Sequence, residues 1–261
     1  MYTKELIAIV LVVTFATACG GEAEQAQRFD VEVFTDGHAL ERFETDEGYE
    51  VELDVVKLRV QTLEFTTGGE AHAQGPLERL AQSIVPHAHA HPNHEAGGEV
   101  AGEVTGPLVL SWRPDELVAV DTGRFLEANY AGYNLDFTGE PTGEEDPLDE
   151  GLMAYLEGSF DDGDEERPFV AAIEVSDVAQ VFGGILQGRI PDEAPGGVAL
   201  VLLVEDDWAQ TTLLDGVRFS QIETDDEGVV HIDEDSAPAA HGMVRHSLRE
   251  HGYYDGRLLE E

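Results

Sequence analysis

Apolar and polar residues alternate with a period of two along much of the chain from residue 28 onward. Within 49–66, Val51, Leu53 and Val55 share one parity, Val56, Leu58 and Val60 take the other, and Leu63 and Phe65 return to the first. Side chains of a strand point alternately to its two faces, so two changes of phase predict one long strand broken by bulges or bends. Shorter runs at 29–34, 108–112, 117–120, 125–137, 153–160, 169–175, 198–204, 217–222 and 229–232 lie between Gly, Pro and Asp clusters. About ten strands at this spacing predict a mainly β fold, an antiparallel β-sandwich, rather than alternating βαβ units. Three stretches have helical spacing instead. They are Leu77, Leu80, Ala81 and Ile84; Val178, Val181, Phe182 and Ile185; and a short C-terminal helix over 239–251 with Met243, Val244 and Leu248 inside.

Ahead of the strands, residues 6–18 form an unbroken apolar or small run, LIAIVLVVTFATA. That length is short for a bilayer span and fits the apolar part of a secretory signal. It divides the chain into a signal at 1–18, a small polar tether at 19–27, and a β domain at 28–261 with a His-rich insertion at 68–106. The run ends Ala16-Thr17-Ala18-Cys19-Gly20-Gly21, which resembles the lipobox of bacterial lipoproteins. This resemblance implies cleavage before Cys19, lipidation of that cysteine, and anchoring in the cell envelope on its periplasmic or surface side. An ordinary signal with a small-residue cleavage site is the alternative, and it too exports the chain. With Cys19 acylated, no thiol is left for a disulfide or a nucleophile.

Charge narrows the choice of partners. There are 55 acidic and 14 basic side chains, a formal net charge of −41, and the only lysines are Lys4 and Lys57. Such a surface repels phosphate backbones and anionic headgroups, which excludes nucleic acid as a partner. Carboxylates in this excess with so little lysine match the surface of a salt-adapted prokaryotic protein. Eleven Phe, seven Tyr and two Trp supply a core that a disordered acidic tail lacks.

The sharpest chemical signal is Pro86-His87-Ala88-His89-Ala90-His91-Pro92-Asn93-His94-Glu95. On an extended backbone His87, His89 and His91 point the same way, and the alanines between them leave room for convergence. Pro86 and Pro92 favour that extended form, and a turn at Pro92-Asn93 brings His94 or Glu95 to a fourth position. Neutral imidazoles are good ligands for zinc, copper and nickel, and about four ligands complete a tetrahedral zinc site. His72 is a further candidate donor upstream. A solvated His-rich loop without a defined site is the plainer alternative. His231 in its strand, His38 in a turn, and His241, His246 and His251 on the C-terminal helix read as surface residues. Asp162, Asp164 and Glu166 loosely follow a calcium loop, but Arg167 stands where its glycine belongs, so a solvated turn is expected. Trp112 and Trp208 read as buried anchors between strands. There is neither a Gly-x-Ser-x-Gly elbow nor a phosphate-binding glycine loop.

The layout resembles a group of uncharacterised bacterial lipoproteins with a His-rich loop. The likeness rests on Cys19, Leu63-Glu64-Phe65, the His loop continuing as Gly98-Glu99-Val100-Ala101-Gly102-Glu103, Asp207-Trp208, and Asp215-Gly216-Val217 before the C-terminal helix. More distantly it is similar to the β-sandwich copper-binding lipoproteins of methanobactin gene clusters, which usually carry cysteines missing from this chain. The resemblance implies a secreted sandwich that handles metal. Together these features predict a non-enzymatic, lipid-anchored protein that binds zinc, or copper or nickel, and buffers it or passes it to an envelope transporter or a metal-accepting protein. The alternatives are an envelope module binding a protein or glycan, with the histidines incidental, and a metal-dependent hydrolase. The hydrolase needs an open ligand position and a general base, and no such base is identifiable.

Overall fold

The structure is a computed structural model that describes residues 27–67, 99–142, 148, 151–175, 181–190, 192–193 and 196–260. In chain order its strands are β1 (Arg28–Asp36), β2 (Phe43–Glu44), β3 (Glu50–Thr67), β4 (Glu99–Trp112), β5 (Leu117–Leu126), β6 (Ala128–Phe137), β7 (Leu152–Asp161), β8 (Glu166–Glu174), β9 (Val181–Ile190), β10 (Gly197–Leu202), β11 (Glu205–Asp206), β12 (Thr211–Thr212), β13 (Val230–Ile232) and β14 (Tyr254–Leu259). Helix α1 (Pro238–Ser247) is the one α-helix among the described residues. β11 and β12 pair with each other, and the other strands form one mixed sheet curled into a half-barrel. Its main path runs β13-β8-β7-β3-β4-β5-β1-β10-β14, with β2 and β6 also on β3 and β9 on β6. One sheet with parallel pairs β1/β10 and β13/β8 thus stands where two antiparallel sheets were expected.

β3 organises this arrangement, and its sequence phases explain how. The register slips at Leu53/Val55 against β7 and at Val60/Thr62 against both β4 and β6. Each slip adds a residue to one side and turns the next apolar set back to the core, so Leu53, Val56, Leu58, Val60, Leu63 and Phe65 are all buried. The second slip marks a fork. β7 pairs with Glu50–Leu58 along one edge of β3, and β6 pairs with Val60–Thr66 along the same edge. Arg59 sits at the fork, fully buried, donating from Nη1 to the carbonyls of Gly139 (3.0 Å) and Leu152 (2.7 Å) and from Nη2 to that of Leu148 (2.7 Å). The guanidinium therefore pins the connection between the two diverging strands. Farther along, the buried Tyr133 of β6 donates its hydroxyl to Asp255 O of β14 (2.9 Å), tying together strands distant in the sheet order.

Several sequence expectations change for packing reasons. β4 begins at Glu99, so residues 99–106, read as part of the insertion, belong to the sheet. A Cβ on Gly102 would lie 2.5 Å from the Phe125 ring, so the small residues there admit an aromatic side chain rather than form a loop. Residues 117–137 make two strands broken at Glu127. Residues 181–185, part of the predicted helical stretch 178–185, belong instead to strand β9, where the absence of a side chain at Gly184 leaves space beside the Tyr133 ring. The predicted strand at 217–222 is instead a 3₁₀ turn around the buried Phe219. Phe219 stacks on Phe160 at 4.3 Å and meets Tyr49 and Phe169 edge-on or tilted, and that aromatic packing outweighs an extended backbone. Trp112 is buried and donates Nε1–H to Leu200 O (2.9 Å), as expected of an anchor. Trp208 is not: it is 51% exposed in the β11–β12 turn, where Asp206 Oδ1 accepts the Trp208 and Ala209 amides and fixes the turn without using the indole.

On the β3–β7–β8 side, Glu52, Asp54, Glu157 and Glu166 lie close together. Partial burial and the repulsion of Glu157, Glu52 and Glu166 hold the Asp54 carboxyl above its ordinary value. Screening should relieve this strain, since the Debye length falls from about 10 Å at 0.1 M salt to about 3 Å at 1 M. The thermal midpoint, followed by circular dichroism, is therefore expected to rise between dilute buffer and molar sodium chloride. A flat or falling midpoint would mean that the carboxylates are already compensated.

Candidate functional sites

Cys19, His72, His87, His89, His91, His94 and Glu95 lie outside the described residues. The structure does describe the frame that carries the histidine segment. β3 ends at Thr67 and β4 starts at Glu99, and these two are paired, with Thr67 Oγ1 donating to Glu99 O at 3.4 Å. Residues 68–98 thus leave and rejoin the sheet at adjacent points. A hollow of about 360 Å³ beside them is lined by Gln27, Phe29, Thr67, Glu99, Ala101 and the β5–β6 corner. Gln27, the last residue of the tether and the first described one, therefore lies beside the Thr67–Glu99 base.

The remaining histidines are dispersed, and no three His, Cys, Asp or Glu side chains converge as a metal-holding group among the described residues. His38 does sit in a turn, where its amide donates to Asp36 Oδ1 (3.1 Å) and its Nδ1 lies 3.0 Å from the same oxygen. Arg257 Nε donates to Asp36 Oδ2 at 2.5 Å. Burial alone would raise the Asp36 carboxyl, but the His38 amide and the Arg257 guanidinium outweigh it and hold the group below its ordinary value. His241 corrects the surface reading: it is 2% exposed, with Nε2 2.7 Å from Glu174 Oε2. Helix α1 turns Ala240, His241 and Val244 inward, with Leu248 following at its C-cap one turn beyond Val244, and Met243, expected inside, is 42% exposed. His246 stays on the surface, 3.4 Å from Glu250. The acidic turn after β7 is a closed hydrogen-bonded unit rather than a cation loop. Asp162 Oδ1 accepts the amides of Asp164 and Glu165, and Arg167 donates to its Oδ2 at 2.5 Å.

A second place emerges only in three dimensions. Between α1 and residues 216–225 lies an open cleft of about 910 Å³. Pro238, Ala239 and Met243 form its apolar wall, and Glu223, Asp225 and His231 its polar wall. His231 Nε2 is 2.9 Å from Asp225 Oδ2, and Asp225 Oδ1 accepts the amides of Glu227 and Val229. The His231 contact, followed by the Val229 amide, holds the Asp225 carboxyl below its ordinary value. At the end nearest β3, Arg218 Nε donates to Glu47 Oε1 at 2.9 Å. The usable sequence signal was the turn Asp225-Asp226-Glu227-Gly228 between Thr224 and Val230, because a tight turn folds His231 back toward Asp225.

No protein-family model, curated protein or solved structure matches this chain.

Proposed function

We propose that this chain is an extracytoplasmic protein, lipid-anchored at Cys19, that binds a transition metal through His87, His89, His91 and His94, with His72 and Glu95 as further donors. Zinc is the first choice because imidazole and carboxylate donors suit it without cysteine, and copper and nickel are the alternatives. The observation that carries the reading is four histidines within eight residues, three of them at alternate positions between Pro86 and Pro92 and the fourth, His94, just beyond. The paired Thr67 and Glu99 support it, because a firm hairpin base holds both flanks of the segment at one place. The strongly negative surface would concentrate divalent cations around it. In this reading the protein buffers or delivers the ion and catalyses nothing.

Calorimetric titration of the metal-free mature chain with zinc, copper and nickel tests the proposal. A saturable event with proton release is expected, because histidine must bind metal in its neutral form. Silence with all three metals would overturn the metal reading. It would favour an envelope module using the cleft and the half-exposed Trp208 to hold a protein or glycan.

A further inference from the structure

We infer that the anchored protein stands with the Gln27 end of the half-barrel toward the bilayer and the cleft toward the aqueous side. The inference rests on the lipidation of Cys19 proposed above. Residues 20–27 are the only chain between the lipid and the first described strand, and eight residues span at most about 29 Å. Strand β3 serves as a ruler for the rest of the domain. Thr67, at its end, lines the hollow with Gln27, whereas the cleft lies beyond its start, where Glu47 lines it and Tyr49 Oη meets Ser220 Oγ at 2.7 Å. Eighteen strand residues cover up to about 59 Å when straight, twice the reach of the tether.

Charge is mixed at this end. Three of the scarce basic residues gather around the Gln27 end: Arg28 and Arg124 on the paired strands β1 and β5, and Arg189 opposite Asn129 on β9. Arg124 lies 3.3 Å from Asp30, Arg189 pairs with Glu127 and with Asp192, and Arg28 Nη1 donates to Arg124 O at 3.5 Å. Glu99, Glu103 and Glu193 lie among these arginines, and in the other half Arg42 accompanies Glu52, Asp54, Glu157 and Glu166, so the length of the tether carries the orientation.

Two single-cysteine variants of the full chain, Asn129→Cys near the Gln27 end and Glu227→Cys beside the cleft, read the orientation. Both positions are exposed, and an acylated Cys19 leaves the introduced thiol as the only one to label. Each variant would carry a fluorophore and be reconstituted into vesicles of phosphatidylcholine and phosphatidylglycerol containing nitroxide-headgroup lipid. Quenching at position 129 is expected to exceed that at position 227 several-fold. Equal quenching, or stronger quenching at 227, on protein whose mass includes the lipid would overturn the orientation alone. A mass without lipid at Cys19 would overturn the anchor, and the orientation with it.

Discussion

Replacing His87, His89 and His91 together by alanine is expected to abolish the tightest zinc-binding event while leaving the fold intact. Three of about four ligands would be gone. The loss should exceed the roughly 10–100-fold that removal of a group behind a metal ligand costs. The fold should survive because the core is built from the strands flanking residues 68–98, with Phe65, Phe125, Tyr130 and Tyr133 packed on one another. Binding by the unaltered chain should weaken as pH falls through about 6.5, where imidazole takes up the competing proton. Titration calorimetry measures both effects. His231→Ala is the control, since that ring is already engaged by Asp225 in the cleft. Affinity kept in the triple variant, or lost equally in the control, would move the site elsewhere.

Arg59→Leu is expected to lower the stability of the domain by several kcal/mol, at about 1–3 kcal/mol for a buried acceptor left unsatisfied. The leucine would leave the carbonyls of Gly139, Leu148 and Leu152 without the donors that satisfy them at the fork of β6 and β7. Unsatisfied acceptors in a dry site cost more than the apolar side chain recovers. Urea denaturation followed by tryptophan fluorescence should show a lower midpoint with an unchanged slope. Arg59→Lys keeps the charge but lacks the planar fork of donors, so its midpoint should fall between the two. A midpoint for Arg59→Leu equal to that of the unaltered chain would show that the fork is held by strand pairing alone.

Local pattern carries some of this architecture and misses the rest for definable reasons. The two phase changes in 49–66 correspond to the bulges of β3, because a bulge is the only way a continuous strand can keep both apolar sets on its core face. β14 carries no local strand pattern because Asp255, Gly256 and Arg257 interrupt its apolar residues, and it becomes a strand by pairing with the fully buried β10. Small residues conceal strand character twice, at Gly102 and at Gly184. Glycine there leaves room for the Phe125 and Tyr133 rings, and its partner is distant in sequence.

The division follows from the range of the forces involved. Alternation, turn residues and charge act between near neighbours or on the whole surface, so the chain by itself determined a mainly β domain, the bulged central strand, the acidic exterior and the alternate histidines of 87–91. Tertiary structure alone decided that the strands form one curled mixed sheet, that Arg59 pins its fork, and that His241 is buried while Trp208 is half exposed. It also decided that Gln27 and the Thr67–Glu99 base share one end of the domain while the cleft occupies the other. Those outcomes depend on which surfaces meet across tens to hundreds of residues, and burial of facing side chains, rather than any local preference, sets them.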